Sequence, residues 1–298
     1  MTPPVLPADL PFGIRPVTFG DALYGLECTS PLAHYTLLLQ GAQLLSWTPI
    51  DSAQVVWTSP HTQFIAGKSP RGGTPICWPW FGPHPNPSLP AHGLVRGKPW
   101  SLDSISRECD GTDVIRFSTQ TSADTTPDWP YEAALSLTYR IGESLDLKLE
   151  TLNQDRHPLR ISEAFHTYFK VRDVREISIL GLEGTTYMDR LQGDKRDQQK
   201  GPVFITTETD RIYLSTPSDC RIIDPLLQRE IHISSEGARS RVIWNPWKEK
   251  SQRLGDLGTD DYLSMICVEI GNISDDLVEL SPHESRSMQV TYRTLNAD

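Results

Sequence analysis

The chain is dominated by segments in which apolar and polar residues alternate. In "SLDLKLETLN", Leu145, Leu147 and Leu149 fall on one side and Asp146, Lys148 and Glu150 on the other, as in an antiparallel strand with one buried face. "YEAALSLTYRI", "VIRFSTQT", "REIHISS" and "SMQVTYRTL" repeat the pattern, and "HYTLLLQGAQLLSW" reads as two apolar strands turning at Gly41. Gly, Pro, Asn and Asp separate these stretches, no window shows a long amphipathic helix, and no fixed-period repeat is present. Many short strands without helices predict an all-β fold, with sheet packed on sheet or closed into a barrel. Pro and Gly are spread throughout and no linker stands out, so residues 1–298 are expected to form a single domain. The polar segment "MDRLQGDKRDQQKGP" (188–202) reads as an exposed loop or hairpin.

Two strand-like segments carry a residue that the pattern does not explain. In "ISEAFHTYFKV" (161–171), Ile161, Phe165 and Phe169 share an apolar face, while Ala164, His166 and Tyr168 share the other. In "SMICVEIGNIS", Ile266, Val268 and Ile270 oppose Met265, Cys267 and Glu269. A satisfied core histidine and a solvated edge carboxylate are the plain readings. Yet a carboxylate among apolar neighbours is costly without a partner or a task. A Glu and a His withdrawn from solvent on separate strands are suited to act as a general base and a general acid.

Two loops stand apart from the strands. "RGGTPICWPWFGPHP" (71–85) combines paired glycines, four prolines and Trp78, Trp80 and Phe81, which makes a stiff aromatic wall for a pocket or a Pro-rich core turn. Gly72-Gly73 lacks the Gly-Lys-Ser/Thr of a phosphate loop. "PAHGLVRGKPW" places His92, Arg96 and Lys98 around two glycines, a candidate anion-binding turn that is weak by itself.

Composition narrows the chemistry. The 298 residues suffice for a sizeable core, and a net charge of −10 argues against general affinity for nucleic acid or anionic membranes. It does not exclude a phosphorylated small molecule held by a local pair of arginines. Five scattered cysteines fit a reducing compartment rather than a disulfide framework. Eight dispersed histidines disfavour a metal site, and no serine-centred nucleophile motif is present. "MTPPVLPADLPFG" has neither a basic start nor an apolar core, so it is not read as a signal peptide. No apolar run approaches a membrane span. The expectation is a cytoplasmic protein.

Taken together, "RGGTPICWPWFG", "AHGLVRGKPW", "SEAFHTYF", "TYMDRL", "TETDRIYL", "VIWNPW" and "CVEIGN" resemble the aldose 1-epimerase (mutarotase) superfamily, and within it the hexose-6-phosphate mutarotase branch. The resemblance runs from about residue 15 to about residue 295, and the motifs are specific as a set. It implies a large antiparallel β-sandwich, the galactose mutarotase-like supersandwich, with His166 as general acid and Glu269 as general base. It also implies that Arg71 and Arg96 contact the sugar and its phosphate, that His92 lines the pocket near the ring, and that Asp210 meets sugar hydroxyls. Some relatives carry Gln where this chain has Ala91, which puts a side-chain contact from that position in doubt.

The implied reaction interconverts the α and β anomers of a hexose 6-phosphate, glucose 6-phosphate above all. It needs one base and one acid on opposite sides of the hemiacetal, with no metal and no cofactor. Glu269 is expected to hold the His166 imidazole protonated. The expected partner is the sugar phosphate alone, without nucleic acid or membrane, and the chain is expected to act as a monomer. The alternatives are a mutarotase of unphosphorylated aldoses, a non-catalytic sugar-binding module using Trp78 and Trp80, and a lyase or glycosidase on a similar sandwich. The last lacks a second strand-centred carboxylate to pair with Glu269.

Overall fold

A computed structural model describes residues 7, 9–20 and 22–296. The reading of the N-terminal stretch as no signal peptide falls largely on residues outside that set. The alternating segments all form antiparallel strands. One eight-stranded sheet runs in the order Ser178–Leu180, Asp219–Asp224, Arg229–Glu236, Ser285–Asn296, Ser144–Asn153, Ala133–Ile141, Asp113–Thr121 and Ser101–Arg107. Alternation of buried residues with half-buried or exposed ones along Ala133–Ile141 and Ser144–Asn153 gives it one apolar face.

Opposite it lies a second eight-stranded sheet. Its main path is Lys195–Gln198, Thr186–Asp189, Thr209–Tyr213, Ser240–Asn245, Met265–Asn272, Glu163–Phe165 and Ile76–Cys77, and Tyr168–Lys170 also pairs with Met265–Asn272. A four-stranded meander, Ile14–Phe19, Leu23–Thr29, Ala33–Leu38 and Gln43–Pro49, continues this layer. The inner faces share one apolar core, in which Leu37 and Trp47 meet Ile115, Tyr139, Leu147, Val290, Phe165, Phe169 and Val268. Polar contacts pin the layers together: the Trp47 indole donates to the Gly142 carbonyl, the Tyr139 hydroxyl donates to the Ala42 carbonyl, and Thr167 and Tyr292 share a hydroxyl hydrogen bond of 2.8 Å. Of the two packings the alternation allows, sheet on sheet is what forms, as the large antiparallel β-sandwich that the resemblance implies.

Among the described residues the one α-helix is Trp247–Arg253, and no helix is long and apolar enough to cross a membrane. The segment 188–202 is a hairpin whose outer strand, Lys195–Gln198, is fully exposed at the sheet edge. The stretch 161–171 does not form the unbroken strand its pattern suggests. Leu159–Ile161 pairs with Val278–Leu280, while Glu163–Phe165 and Tyr168–Lys170 pair with Met265–Asn272. The interruption falls on His166 and Thr167.

Candidate active site

The interruption preserves register. Glu163, Ala164 and Phe165 face Asn272, Gly271 and Ile270, and Tyr168 and Phe169 face Cys267 and Ile266. Carried across the gap, that register sets His166 directly opposite Glu269. Cross-strand partners project to the same side of a sheet. Here that side is the outer one, because Phe165, Phe169, Ile266 and Val268 occupy the core. Nε2 of His166 lies 3.3 Å from Oε1 of Glu269, and the two residues are 8 % and 1 % exposed.

The same register extends the surface in two rows. Ile212, Val242, Glu269 and His166 form one; Asp210, Trp244, Cys267 and Tyr168 form the other. The loop 73–79 closes the open edge of the His166 segment: the backbone N–H groups of Tyr168, His166 and Ser162 donate to the carbonyls of Gly73, Pro75 and Pro79. The loop then returns through His92, whose own backbone φ is 63°, and Gly93 (φ 82°). A Cβ at Gly93 would stand 1.9 Å from the Trp78 carbonyl oxygen, so no other residue fits there.

These elements enclose a cavity of about 420 Å³, within the range of small-molecule sites. His166 and Glu269 line it together with Arg71, His92 and Asp210. The structure therefore brings together five of the six residues singled out from the sequence. Arg96 is not on the lining; its Nη2 donates to the Ala91 carbonyl oxygen at 2.8 Å, bracing the turn that carries His92. Trp78 and Trp80 are not platforms either. Trp78 is buried in the core, and the Trp80 indole donates to the Pro90 carbonyl. The aromatic walls are Phe81 and Trp244, and the rim carries Arg190 from the exposed hairpin and Lys250 from the helix. Trp244 lay within "VIWNPW" without a charge to mark it, and Arg190 and Lys250 sat in polar segments indistinguishable from solvated surface.

Stacking, rather than a hydrogen bond to Nδ1, orients His166. Its ring lies nearly parallel to Tyr168 at 5.0 Å, with His92 and Trp244 presenting edges at 5.5 and 6.2 Å. Nδ1 of His166 and Oε2 of Glu269 are buried and have no hydrogen-bond partner among the described residues. The charge state differs from the expected ion pair. Burial, followed by Asp210, pushes the Glu269 carboxyl well up, while burial, followed by His92, Arg96 and Arg71, pulls the His166 imidazole well down. Desolvation of two charges outweighs their attraction here, so the shared proton rests on Glu269. His92 is pulled down to about 3 by burial, with Arg96 and Arg71 adding to the effect. Its Nδ1 lies 3.4 Å from the Gly82 N–H, which assigns the ring proton to Nε2 as a donor.

Arg71 is held by two partners. Nε lies 3.1 Å from Oδ1 of Asp256, and Nη1 donates to the Tyr168 hydroxyl at 3.1 Å. Across the cavity, burial raises the Asp210 carboxyl, while Lys250 and Arg190 oppose that shift. Donor atoms of His166, Cys267 and Glu269 lie within 4.8 Å of one another, close enough to share an ion. Burial pushes the Cys267 thiol well up, however, and its sulfur packs with Trp57 and Tyr168, as suits an inert core cysteine. The surface thus offers one carboxyl and one imidazole sharing a proton, a neutral N–H donor, a cation and a second carboxyl around a sugar-sized space.

Comparison with known proteins places this geometry in context. The family model described as aldose 1-epimerase matches residues 27–293. A relative from Escherichia coli (strain K12), named "Putative glucose-6-phosphate 1-epimerase", is 35% identical over 278 residues, covering 92% of each chain. The crystal structure of "a putative mutarotase (YeaD)" from Salmonella typhimurium superposes with a TM-score of 0.89 at 29% identity, covering 98% of this chain and 97% of that one. A galactose mutarotase-like protein from Lactobacillus casei shares the fold, with a TM-score of 0.72 at 15% identity over 91% of this chain and 100% of that one.

Proposed function

The chain belongs to the aldose 1-epimerase family, and on that premise we propose that it interconverts the α and β anomers of a hexose 6-phosphate, glucose 6-phosphate first among them. The observation that carries this reading is the 3.3 Å pair of His166 and Glu269 on the floor of a cavity with Arg71 on its wall. In the proposed reaction the shared proton first passes from Glu269 to His166 across the 3.3 Å gap; Glu269 then takes the proton of the anomeric hydroxyl while His166 delivers its own to the ring oxygen. The C1–O5 bond breaks to give the open-chain aldehyde, C1–C2 rotates, and the ring recloses on the other face. One acid, one base and one shared proton suffice, and recovery of the starting state needs only the return of that proton between atoms 3.3 Å apart.

In this reading Arg71 receives the phosphate, the His92 N–H meets a ring oxygen, and Asp210 accepts from sugar hydroxyls. Arg96 supports His92 rather than touching phosphate. The same reading treats the chain as one domain, supported by the core shared between the sheets, acting as a cytoplasmic monomer without a metal or cofactor. One observation favours a second reading, a mutarotase of unphosphorylated aldoses: Arg71 is already committed to Asp256 and Tyr168. Exchange NMR at anomeric equilibrium decides between them. Enzyme-dependent exchange should be far faster for glucose 6-phosphate than for glucose, equal rates would favour the second reading, and no enhancement of either would reject both.

A further inference from the structure

Resting on the reading above, we propose that the Arg71 end of the cavity is a separable oxyanion subsite, whose occupation by a free anion switches on turnover of neutral aldoses. The geometry separates anion binding from proton transfer by a single side chain. The Arg71 guanidinium contacts the Tyr168 hydroxyl, and the Tyr168 ring lies face to face with His166, with Trp57 stacked behind it at 6.1 Å. Asp256, the other partner of Arg71, is about one-third exposed (34%) in the loop after the helix. A dianion arriving at Arg71 can displace that monovalent carboxylate without disturbing a buried element.

The electrostatics give such an exchange a consequence. The charged and titratable groups around His166 are Glu269 and Cys267 on the neighbouring strand, Tyr168 on its own segment, and His92, Arg96 and Arg71 from the loops. Arg71 is among the groups that disfavour a charged imidazole, whereas Glu269 is governed by burial, Asp210 and Arg96. Neutralising Arg71 therefore favours an imidazolium without an equal effect on the carboxyl. Transfer of the shared proton from Glu269 to His166, in which one O–H bond breaks and one Nε2–H bond forms, then becomes less costly. A substrate phosphate would act on the rate of proton transfer as well as on binding. A neutral aldose lacks this group, and sulfate or inorganic phosphate can supply it from outside.

The test is glucose mutarotation by exchange NMR, with sodium sulfate and then inorganic phosphate added at constant ionic strength and the enzyme-free rate subtracted at each concentration. An imidazole that holds the proton more often supplies the acid more often, so a saturable, several-fold rise in kcat is expected. Arg71→Ala should abolish the rise, and Asp256→Asn should lower the half-saturating anion concentration. The ring resonances of His166 should titrate at higher pH with sulfate present. A wild-type rate that does not rise, rises equally in Arg71→Ala, or falls through competition with glucose overturns the proposal. Turnover of glucose 6-phosphate without any anion response on glucose refutes this inference alone; no turnover of glucose 6-phosphate refutes the underlying reading.

Discussion

His166 and Glu269 face each other across neighbouring antiparallel strands, with Nε2 and Oε1 3.3 Å apart and both residues almost wholly withdrawn from solvent. If this pair transfers the protons, Glu269→Gln and His166→Asn should each lower turnover by about 10²–10⁴-fold while keeping size and hydrogen bonding. Exchange NMR gives the rate, and thermal unfolding should show a native-like fold in both variants. Near-wild-type exchange in either would leave the pair without its proposed task.

Arg71 and Arg96 should behave differently, although both stand in the same sequence neighbourhood. Arg71 lines the cavity, and losing one charge-assisted contact of about 1.5–3 kcal/mol should cost roughly 10–150-fold in kcat/KM on glucose 6-phosphate. Activity on glucose without added anions should rise in Arg71→Ala, because losing the guanidinium removes one of the charges that disfavour the His166 imidazolium. Arg96 holds the Ala91 carbonyl, so Arg96→Ala should reduce activity on both sugars in similar proportion. The reverse pattern would exchange their roles.

Glu163 offers a pH-dependent stability signal outside the cavity. It is buried, accepts from Asn272 Nδ2 at 3.0 Å, and burial pushes its carboxyl up to about 7 from an ordinary 4.5. The folded state therefore holds a proton that the unfolded chain has released between about pH 4.5 and 7. Its stabilising contribution is complete below that window and is lost as pH rises through it, by about 3 kcal/mol. Denaturant melts of wild type and Glu163→Gln should give a difference that grows across this interval and levels off above it. A constant difference would show that Glu163 titrates normally.

At the far side of the sandwich, Asp113 is fully buried and accepts from Arg107 Nε and Nη2 at 2.7 and 3.0 Å and from the Tyr35 hydroxyl at 2.9 Å. Arg107→Ala strands that carboxylate, and a loss of about 3–5 kcal/mol is expected. Asp113→Asn/Arg107→Ala should recover part of it. A loss below about 1 kcal/mol in the single variant would show the pair to be effectively solvent-exposed.

The strands were legible because their cause is local. A two-residue period with one buried face writes itself into Ala133–Ile141 and Ser144–Asn153. His166 and Glu269 were legible as polar residues on apolar strands. The pattern of residues did not show that they meet, because register between distant segments is decided by the whole sheet; only the family resemblance brought the two together. The same limit applied to Trp244, Arg190 and Lys250, which become cavity residues only when the Glu269 strand lies between its neighbours. The expected imidazolium failed for a different reason: burial of both partners is a property of the packed sandwich, and no spacing in the chain encodes it.

The unbroken register across the gap at His166 has one further consequence. An antiparallel ladder can slide only in whole residues, and a single step turns a side chain from one surface of the sheet to the other. The separation between His166 and Glu269 is therefore digital. Substitutions on the rim can reshape what enters the cavity, as at Arg190 on its exposed hairpin, while the gap between the two proton-bearing atoms keeps its setting. A one-residue insertion or deletion that shifts either segment by a single step, with no bulge to absorb it, would turn one of the two groups into the core and abolish the pairing outright.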